Sequence, residues 1–417
     1  MKKHTFRTVG EFEPQDSVTL MWPLTKYATK TQEYNRDEVS IEIVKNLIDN
    51  VDIIISCYDE KQKKYIINVL KENEIDINKI KFMIFPSEII YPRDFGAEIL
   101  AGDNGERALV DFDFNGYGEF NNLDPISKLL EGYDRIHAEF FGIHRTIYTR
   151  LIGEGGDREF NGDGVLMTIE DTEVRKRNKR WTKKEVEEEF KRIFNIKKVI
   201  WLPLGTYDDE NMYDGLIPDE NGEYKAFRSM TANGHIDEMC RFVSKDTILI
   251  AHISKEEASK SKLNALNKER LDKAYEVLKN EVNVDGKPFN IVKMPFPESI
   301  YIETEPGDDL YESYKVGIND FNNGIFLDGT PFPKGKVKFL PALSYCNFLI
   351  TNGLVLAQKY YKEGMPLEIK RKDEEAFKIL QSVFQDRKVV AINTLPLNLY
   401  GGGIHCNTRN IPKVDKK

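Results

Sequence analysis

Cys406 ends the run Leu399-Tyr400-Gly401-Gly402-Gly403-Ile404-His405-Cys406, and three glycines just ahead of a thiol are the first sign of chemistry in this chain. Glycine gives up packing and conformational entropy, a cost tolerated where backbone turns sharply or a ligand comes close. A nucleophilic thiolate needs such an open approach, because its sulfur must reach an electrophilic carbon. A lone cysteine is more often a small buried hydrophobe. The company of Cys406 argues for reactivity: Asn233-Gly234-His235-Ile236-Asp237-Glu238, Ile152-Gly153-Glu154-Gly155-Gly156-Asp157 and Tyr91-Pro92-Arg93-Asp94.

His235 and Asp237 stand two apart, so in extended backbone both side chains point to one side. Histidine suits acid and base work near neutral pH, and the aspartate is an anion there. Glu154 precedes two glycines at the end of an apolar stretch, and Asp94 follows a proline-fixed turn. Singly these are ordinary: a core imidazole, hairpin chemistry, a carboxylate paired with an arginine. Together they suit a planar cation, since a guanidinium presents its donors in a fixed fork that two carboxylates can grip. Nearby anions and burial raise the pKa of Cys406 in the empty pocket, and an arriving cation lowers it. Zinc is the competing use of such residues, but adjacent His405 and Cys406 ligate one ion awkwardly and HExxH and paired CxxC spacings are missing. A papain-like Cys/His hydrolase leaves Asp94 and Asp237 without a task.

The elements that must carry these residues alternate between strand and helix. Strands are expected at Val18 to Pro23, Val51 to Cys57, Lys81 to Phe85, Ala108 to Phe112, Val165 to Ile169, Val199 to Leu204, Thr247 to His252, Ile291 to Pro295, Phe348 to Ala357 and Val389 to Asn393. Helices are expected at Thr31 to Asn50, Lys61 to Glu74, Thr182 to Ile196, Lys255 to Asn280 and Asp373 to Gln385. Asp214 to Lys225 reads as a surface excursion and Lys334-Gly335-Lys336 as a tight turn. Many similar units with no low-complexity linker suit either one closed assembly or two doubly wound domains.

A chain of 417 residues has ample material for a core, and 60 Lys and Arg against 69 Asp and Glu give a net charge of −9 that disfavours nucleic acid as a partner. No run reaches the ~18 apolar residues of a membrane span. Met1-Lys2-Lys3-His4-Thr5-Phe6-Arg7 lacks the apolar core of an export signal, so a cytoplasmic protein is expected. Cys57, Cys240, Cys346 and Cys406 are widely spaced and are expected to be reduced.

Six blocks in order, Arg93-Asp94-Phe95-Gly96, Glu154-Gly155-Gly156, Val199-Ile200-Trp201-Leu202-Pro203, Asn233-Gly234-His235-Ile236-Asp237, Ser344-Tyr345-Cys346-Asn347-Phe348 and Gly401-Gly402-Gly403-Ile404-His405-Cys406, carry a resemblance. From Met21 to Cys406 the chain resembles the agmatine deiminase and Porphyromonas-type peptidylarginine deiminase family, within the guanidino-group-modifying or pentein superfamily. The resemblance implies an α/β fold: a single domain over 1–417, built as a five-bladed, pseudo-symmetric α/β propeller of ββαβ units with the active site at its core. It implies Cys406 as the nucleophile, His235 as acid and then base, and Glu154 orienting His235. Asp94 and Asp237 hold the guanidinium, with Asp157, Tyr91 and Gly403 around the substrate. It also implies a covalent thiouronium intermediate and neither metal nor organic cofactor.

The chain departs from the family pattern at Tyr91, where tryptophan is common, at Ala97, where proline is usual, in a longer stretch between Asp209 and Thr231, at Asn407-Thr408-Arg409-Asn410 and at Asp157. The expected substrate is a small guanidino compound such as agmatine. Arginine or peptidyl-arginine is the alternative, for which Arg158, Arg228 or Arg409 would serve as carboxylate readers. Amidino transfer and a guanidino-binding pseudoenzyme are further readings. Neither membrane nor nucleic acid is expected as a partner, and a homo-oligomer is compatible with the sequence.

Overall fold

The structure, a computed structural model, describes residues 5–24 and 35–415. Short β-branched runs cannot bury themselves alone, and here they recur as one unit: an antiparallel strand pair, a helical crossover, and a third strand parallel to the second. Glu98–Gly102, Arg107–Asp113 and Thr146–Ile152 form one such unit. Glu159–Phe160, Val165–Ile169 and Lys198–Leu202 form the next. Cys240–Ser244, Thr247–His252 and Asn290–Pro295 follow, and then Leu349–Thr351, Leu354–Lys359 and Lys388–Asn393.

The fifth is split across the chain. Thr408–Pro412 pairs antiparallel with Gln15–Met21, which runs parallel to Asp52–Cys57, and that strand runs parallel to Ile80–Ile84. Thr408, two residues after Cys406, lies opposite Leu20. The thiol is thus anchored to the N-terminal sheet by the strand that closes it.

The helices between strands bury one apolar stripe each. Lys183–Phe194 buries Val186, Phe190, Ile193 and Phe194, and starts at a capping box in which Thr182 and Glu185 bind each other's backbone N–H. One core cluster joins Val165, Ile200, Ile250 and Phe348 from neighbouring units, and another includes Val18, Ile54, Leu356, Ile404 and Cys406. Among the described residues no helix is long and apolar enough to cross a membrane.

Several expected elements change form. The helix from Thr31 begins at Arg36, and residues 31–34 lie outside those described. The helix over 255–280 is two, Lys255–Lys260 and Lys262–Leu278, because extended Ser261 stops the first and caps the second through its hydroxyl. The strand over 348–357 is a hairpin, turning at Asn352 and at Gly353, whose φ is +65°. The excursion at 214–225 is also structured: Leu216–Pro218 and Tyr224–Arg228 pair as a hairpin, and Val337–Leu340 and Ile302–Thr304 extend it to a sixth sheet. Two- to five-residue strands left too short a pattern to separate from loop.

Candidate active site

Loops at the ends of these strands carry four segments to one buried point. Asp94 sits on the short helix Pro92–Phe95, where the Arg93 N–H donates to the Cys406 carbonyl at 3.2 Å. The Arg93 side chain turns instead to Asn410 and the His405 carbonyl, so neighbouring residues serve different surroundings. Asp94 accepts from the Gly156 N–H at 3.0 Å and from the Tyr117 hydroxyl at 3.1 Å.

His235 follows Asn233 and Gly234, both at positive φ (+59° and +101°). Asp209 fixes that turn by accepting from the N–H groups of Ala232, Gly234 and His235 at 2.9, 3.0 and 2.8 Å. Asp157 fixes the next residue, accepting from the Ile236 N–H at 3.0 Å while Thr168 Oγ1 donates to its other oxygen at 3.1 Å. Asp157 is therefore spent on backbone beside the site.

The imidazole of His235 is fully buried between two carboxylates, with Nε2 3.4 Å from Glu154 Oε2 and Nδ1 3.6 Å from Asp94 Oδ1. Burial alone would lower its pKa, but Asp94, Glu154 and Asp237 outweigh that and hold it up to about 10. His235 is an imidazolium at neutral pH. Burial likewise opposes the charge on Glu154, yet Arg177, Nε 2.8 Å from Oε2, and His235 keep that carboxyl down at about 2. Arg177 ends a π-helical stretch, Asp171–Arg177, of the kind that often marks functional sites. Asp94 is pushed up to about 6, by burial above all and then by Asp237 and Glu154, despite His235.

Cys406 Sγ accepts from Asn347 Nδ2 at 3.0 Å and lies 3.7 Å from both Asp237 Oδ2 and Glu238 Oε1. Burial and the carboxylates of Asp237, Glu238 and Asp94 push the thiol well above its ordinary range. Asn347 Oδ1 accepts from the His405 N–H at 3.0 Å, so one amide grips both the backbone and the sulfur of the Cys406 loop. Gly401, at φ +108°, makes the turn into that loop. Gly403 leaves room for Gln358 and Asn347, whose polar atoms a Cβ would meet at 2.2 and 2.7 Å. Tyr91 donates its hydroxyl to the Tyr400 carbonyl at 2.5 Å, and its ring packs over Gly402.

Gly156 lies at the centre. A Cβ there would stand 2.6 Å from His235 Nδ1, 2.7 Å from Asp94 Oδ1 and 3.2 Å from Asp237 Oδ2. The hydrogen that replaces it lets three ionisable groups from two distant segments converge. A sequence model of the Porphyromonas-type peptidyl-arginine deiminase family matches residues 7–218 and 225–412. This chain belongs to that family. The gap in the match falls on the turn of the hairpin formed by Leu216–Pro218 and Tyr224–Arg228, within the stretch whose extra length was apparent in the sequence.

Other comparisons agree on extent. A provisionally named agmatine deiminase of Marinomonas sp. is 25% identical over 413 residues, 98% of this chain and 95% of that protein. An Enterococcus faecalis agmatine deiminase structure superposes with a TM-score of 0.74 at 23% identity, covering 98% of this chain and 96% of that one. A C. jejuni agmatine deiminase with substrate bound gives 0.69 at 20% identity, covering 99% and 98%. These likenesses establish the α/β fold of the family for this chain.

The structure brings His235, Asp94 and Asp237 together at Gly156, with Glu154 3.4 Å from His235 and Cys406 3.7 Å from Asp237. The three arginines considered as carboxylate readers are engaged elsewhere. Arg158 pairs with Glu98 and Glu173, Arg409 with Glu98 and the Ala97 and Arg93 carbonyls, and Arg228 with the Tyr207 carbonyl. Sequence reasoning gave no role to Asn347, Arg177, Tyr117, Asp209, Glu238 or Glu11. Asn347 and Glu238 lay inside blocks already singled out. Arg177 follows Arg175 and Lys176 in the sequence with nothing to set it apart, and its pairing with buried Glu154 is visible only in three dimensions.

Cys406, Asp237 and Glu238 also offer ligand atoms within 4.8 Å of one another, a set a thiophilic divalent ion could use. Asn347 Nδ2, a donor to all three, occupies the same space, which fits the set to an organic cation or to hydrogen bonding better than to a metal.

Proposed function

We propose that this chain is a deiminase (iminohydrolase) that converts the guanidinium of agmatine or a close guanidino compound to a ureido product and ammonia. The observation that carries this is the convergence on Gly156 of the His235 imidazole and the carboxylates of Asp94 and Asp237, with the Cys406 thiol 3.7 Å from Asp237. Asp94 and Asp237 grip the substrate's N–H donors, and the bound cation supplies the counter-charge that Cys406 lacks in the empty site. As the cation binds, the thiol gives up its proton to water and its sulfur bonds to the guanidinium carbon.

His235, held protonated beside Glu154, donates a proton to the departing nitrogen; the C–N bond breaks and ammonia leaves. The neutral imidazole then takes a proton from water, whose oxygen attacks the thiouronium carbon. The C–S bond breaks, the ureido product leaves and Cys406 recovers its proton. Every step uses groups of the chain and water.

Agmatine is preferred over arginine or a peptide because Arg158 and Arg409 already face internal carboxylates and Arg228 already donates to the Tyr207 carbonyl. The five ββαβ sheets support a five-bladed propeller forming a single domain, with these loops at its centre. A small metabolite as substrate suits a cytoplasmic enzyme. The test is ammonia and ureido formation from agmatine, arginine and arginine-bearing peptides, with Cys406→Ser as control. Turnover of agmatine that the variant loses is expected; no ammonia from any of the three with an intact thiol refutes the assignment. An amine chase of the trapped intermediate separates hydrolysis from amidino transfer.

A further inference from the structure

Asp237 is held by a pair of residues to which the deimination scheme gives no part. His405 Nδ1 lies 2.6 Å from Asp237 Oδ2, and His405 Nε2 lies 2.7 Å from Glu11 Oε2. The contact to Asp237 is buried and that to Glu11 part-buried, and Glu11 comes from a segment 394 residues away from His405. Glu11 is itself fixed: its Oε1 accepts from the Ile350 N–H at 2.7 Å and lies 3.2 Å from Arg241, and its Oε2 lies 3.3 Å from Arg93.

An imidazole with a carboxylate oxygen on each nitrogen at these distances makes two hydrogen bonds only if both nitrogens carry protons. With one proton, a ring lone pair would face a carboxylate oxygen at 2.6 or 2.7 Å. A proton on either acid would be the other way to satisfy the pair. Burial favours that, but His405 and Arg241 outweigh burial at Asp237 and, with Arg93, at Glu11, so both acids stay ionised.

We infer that Glu11 and His405 are positioning residues for the candidate site: a doubly protonated His405, braced by Glu11, pins Asp237 through Oδ2 and keeps it an anion fit to bind a cation. Asp237 Oδ1 is buried and has no protein partner, so the carboxylate keeps an unclaimed acceptor. The other charged or titratable groups facing the pair are Arg93 and Arg241 on Glu11, Glu159 on Arg241, and His235, Glu238 and Cys406 around Asp237. Glu238 and Cys406 sit beside Asp237 without offering it positive charge. Without the His405 cation, the aspartate would be drawn toward its neutral form and release its grip.

This inference rests on reading Asp237 as a guanidinium holder, and its first test does not depend on turnover. In ¹⁵N-histidine NMR of the intact protein at pH 7, with His405 assigned through its backbone neighbours, both ring nitrogens should carry protons, one facing Asp237 and one facing Glu11. A ring with one bare nitrogen overturns the inference. In Glu11→Gln the Nε2 signal should shift as its carboxylate partner is lost. The acid limb of kcat/KM should move to higher pH, and KM for agmatine should rise about 10-fold, with kcat changed less, as expected for weakening one charge-assisted hydrogen bond.

His405→Gln should cost more, about 100-fold in kcat/KM. If Glu11→Gln is folded and leaves both KM and the acid limb unchanged, the positioning role is refuted. If the wild type deiminates nothing, the proposed function fails, and the ring's protonation in the wild type still decides the inference.

Discussion

Replacing Gly156 by alanine is the sharpest perturbation of the site. Gly156 is not among the glycines at positive φ, so alanine fits its backbone and the effect is one of space alone. The added methyl would lie 2.6 Å from His235 Nδ1 and 2.7 Å from Asp94 Oδ1, where ordinary contacts begin near 3.4 Å. Those groups must retreat by about 0.7 to 0.8 Å, the differences between 3.4 and the two distances, or the backbone of Gly155 to Asp157 must move as far.

Overpacking of this size costs about 1–3 kcal/mol of stability, and a misplacement approaching 1 Å can cost about 100-fold in rate. The assay is kcat and KM for agmatine beside a thermal melt and the rate of Cys406 alkylation. The variant should stay folded with a lowered Tm and lose about 100-fold or more in kcat/KM. Activity within threefold of wild type would show that these side chains do not converge on the reacting group.

Other perturbations test separate contacts. The pH profile of kcat/KM should rise through about 6 as Asp94 ionises and fall toward about 10 as His235 loses its proton, and a flat response between pH 5 and 7 would remove Asp94 from substrate capture. Arg177→Met should leave Glu154 buried without its partner, costing about 3–5 kcal/mol in a denaturant titration and lowering kcat through His235. Glu154 is held at about 2, so the stability it contributes is complete above the ordinary carboxylate value of 4.5 and lost as pH falls through about 2; Arg177→Met should flatten that part of the stability profile. Asn347→Asp should depress kcat more than Asn347→Ala, because a carboxylate 3.0 Å from Sγ opposes the thiolate where the amide supports it; equal losses would mean that the amide acts only on the backbone.

The residues that meet in the candidate site were legible because their local signatures are strong: glycines beside a cysteine, a carboxylate before two glycines, a histidine two residues from an aspartate. Val165–Ile169 and Thr247–His252 were also legible, as apolar runs of strand length between charged helices. Thr408–Pro412 was not, since Thr, Arg, Asn and Pro give little strand signal and it forms by pairing with Gln15–Met21. The same holds for Glu11, Arg177 and Asp209. Each is an ordinary acid or base in the string, and its meaning comes from a partner brought by a different segment.

The pairing of Thr408–Pro412 with Gln15–Met21 also sets the order in which the protein can mature during synthesis. The sheet of Gln15–Met21 lacks its outer strand until Thr408–Pro412 has been made, and Cys406 lies just ahead of that strand. Contacts so far apart in sequence form late. A nascent chain therefore carries Asp94, Glu154 and His235 long before it carries Cys406 seated among them. Stalling synthesis before Thr408–Pro412 can pair should leave the thiol unseated and open to alkylation.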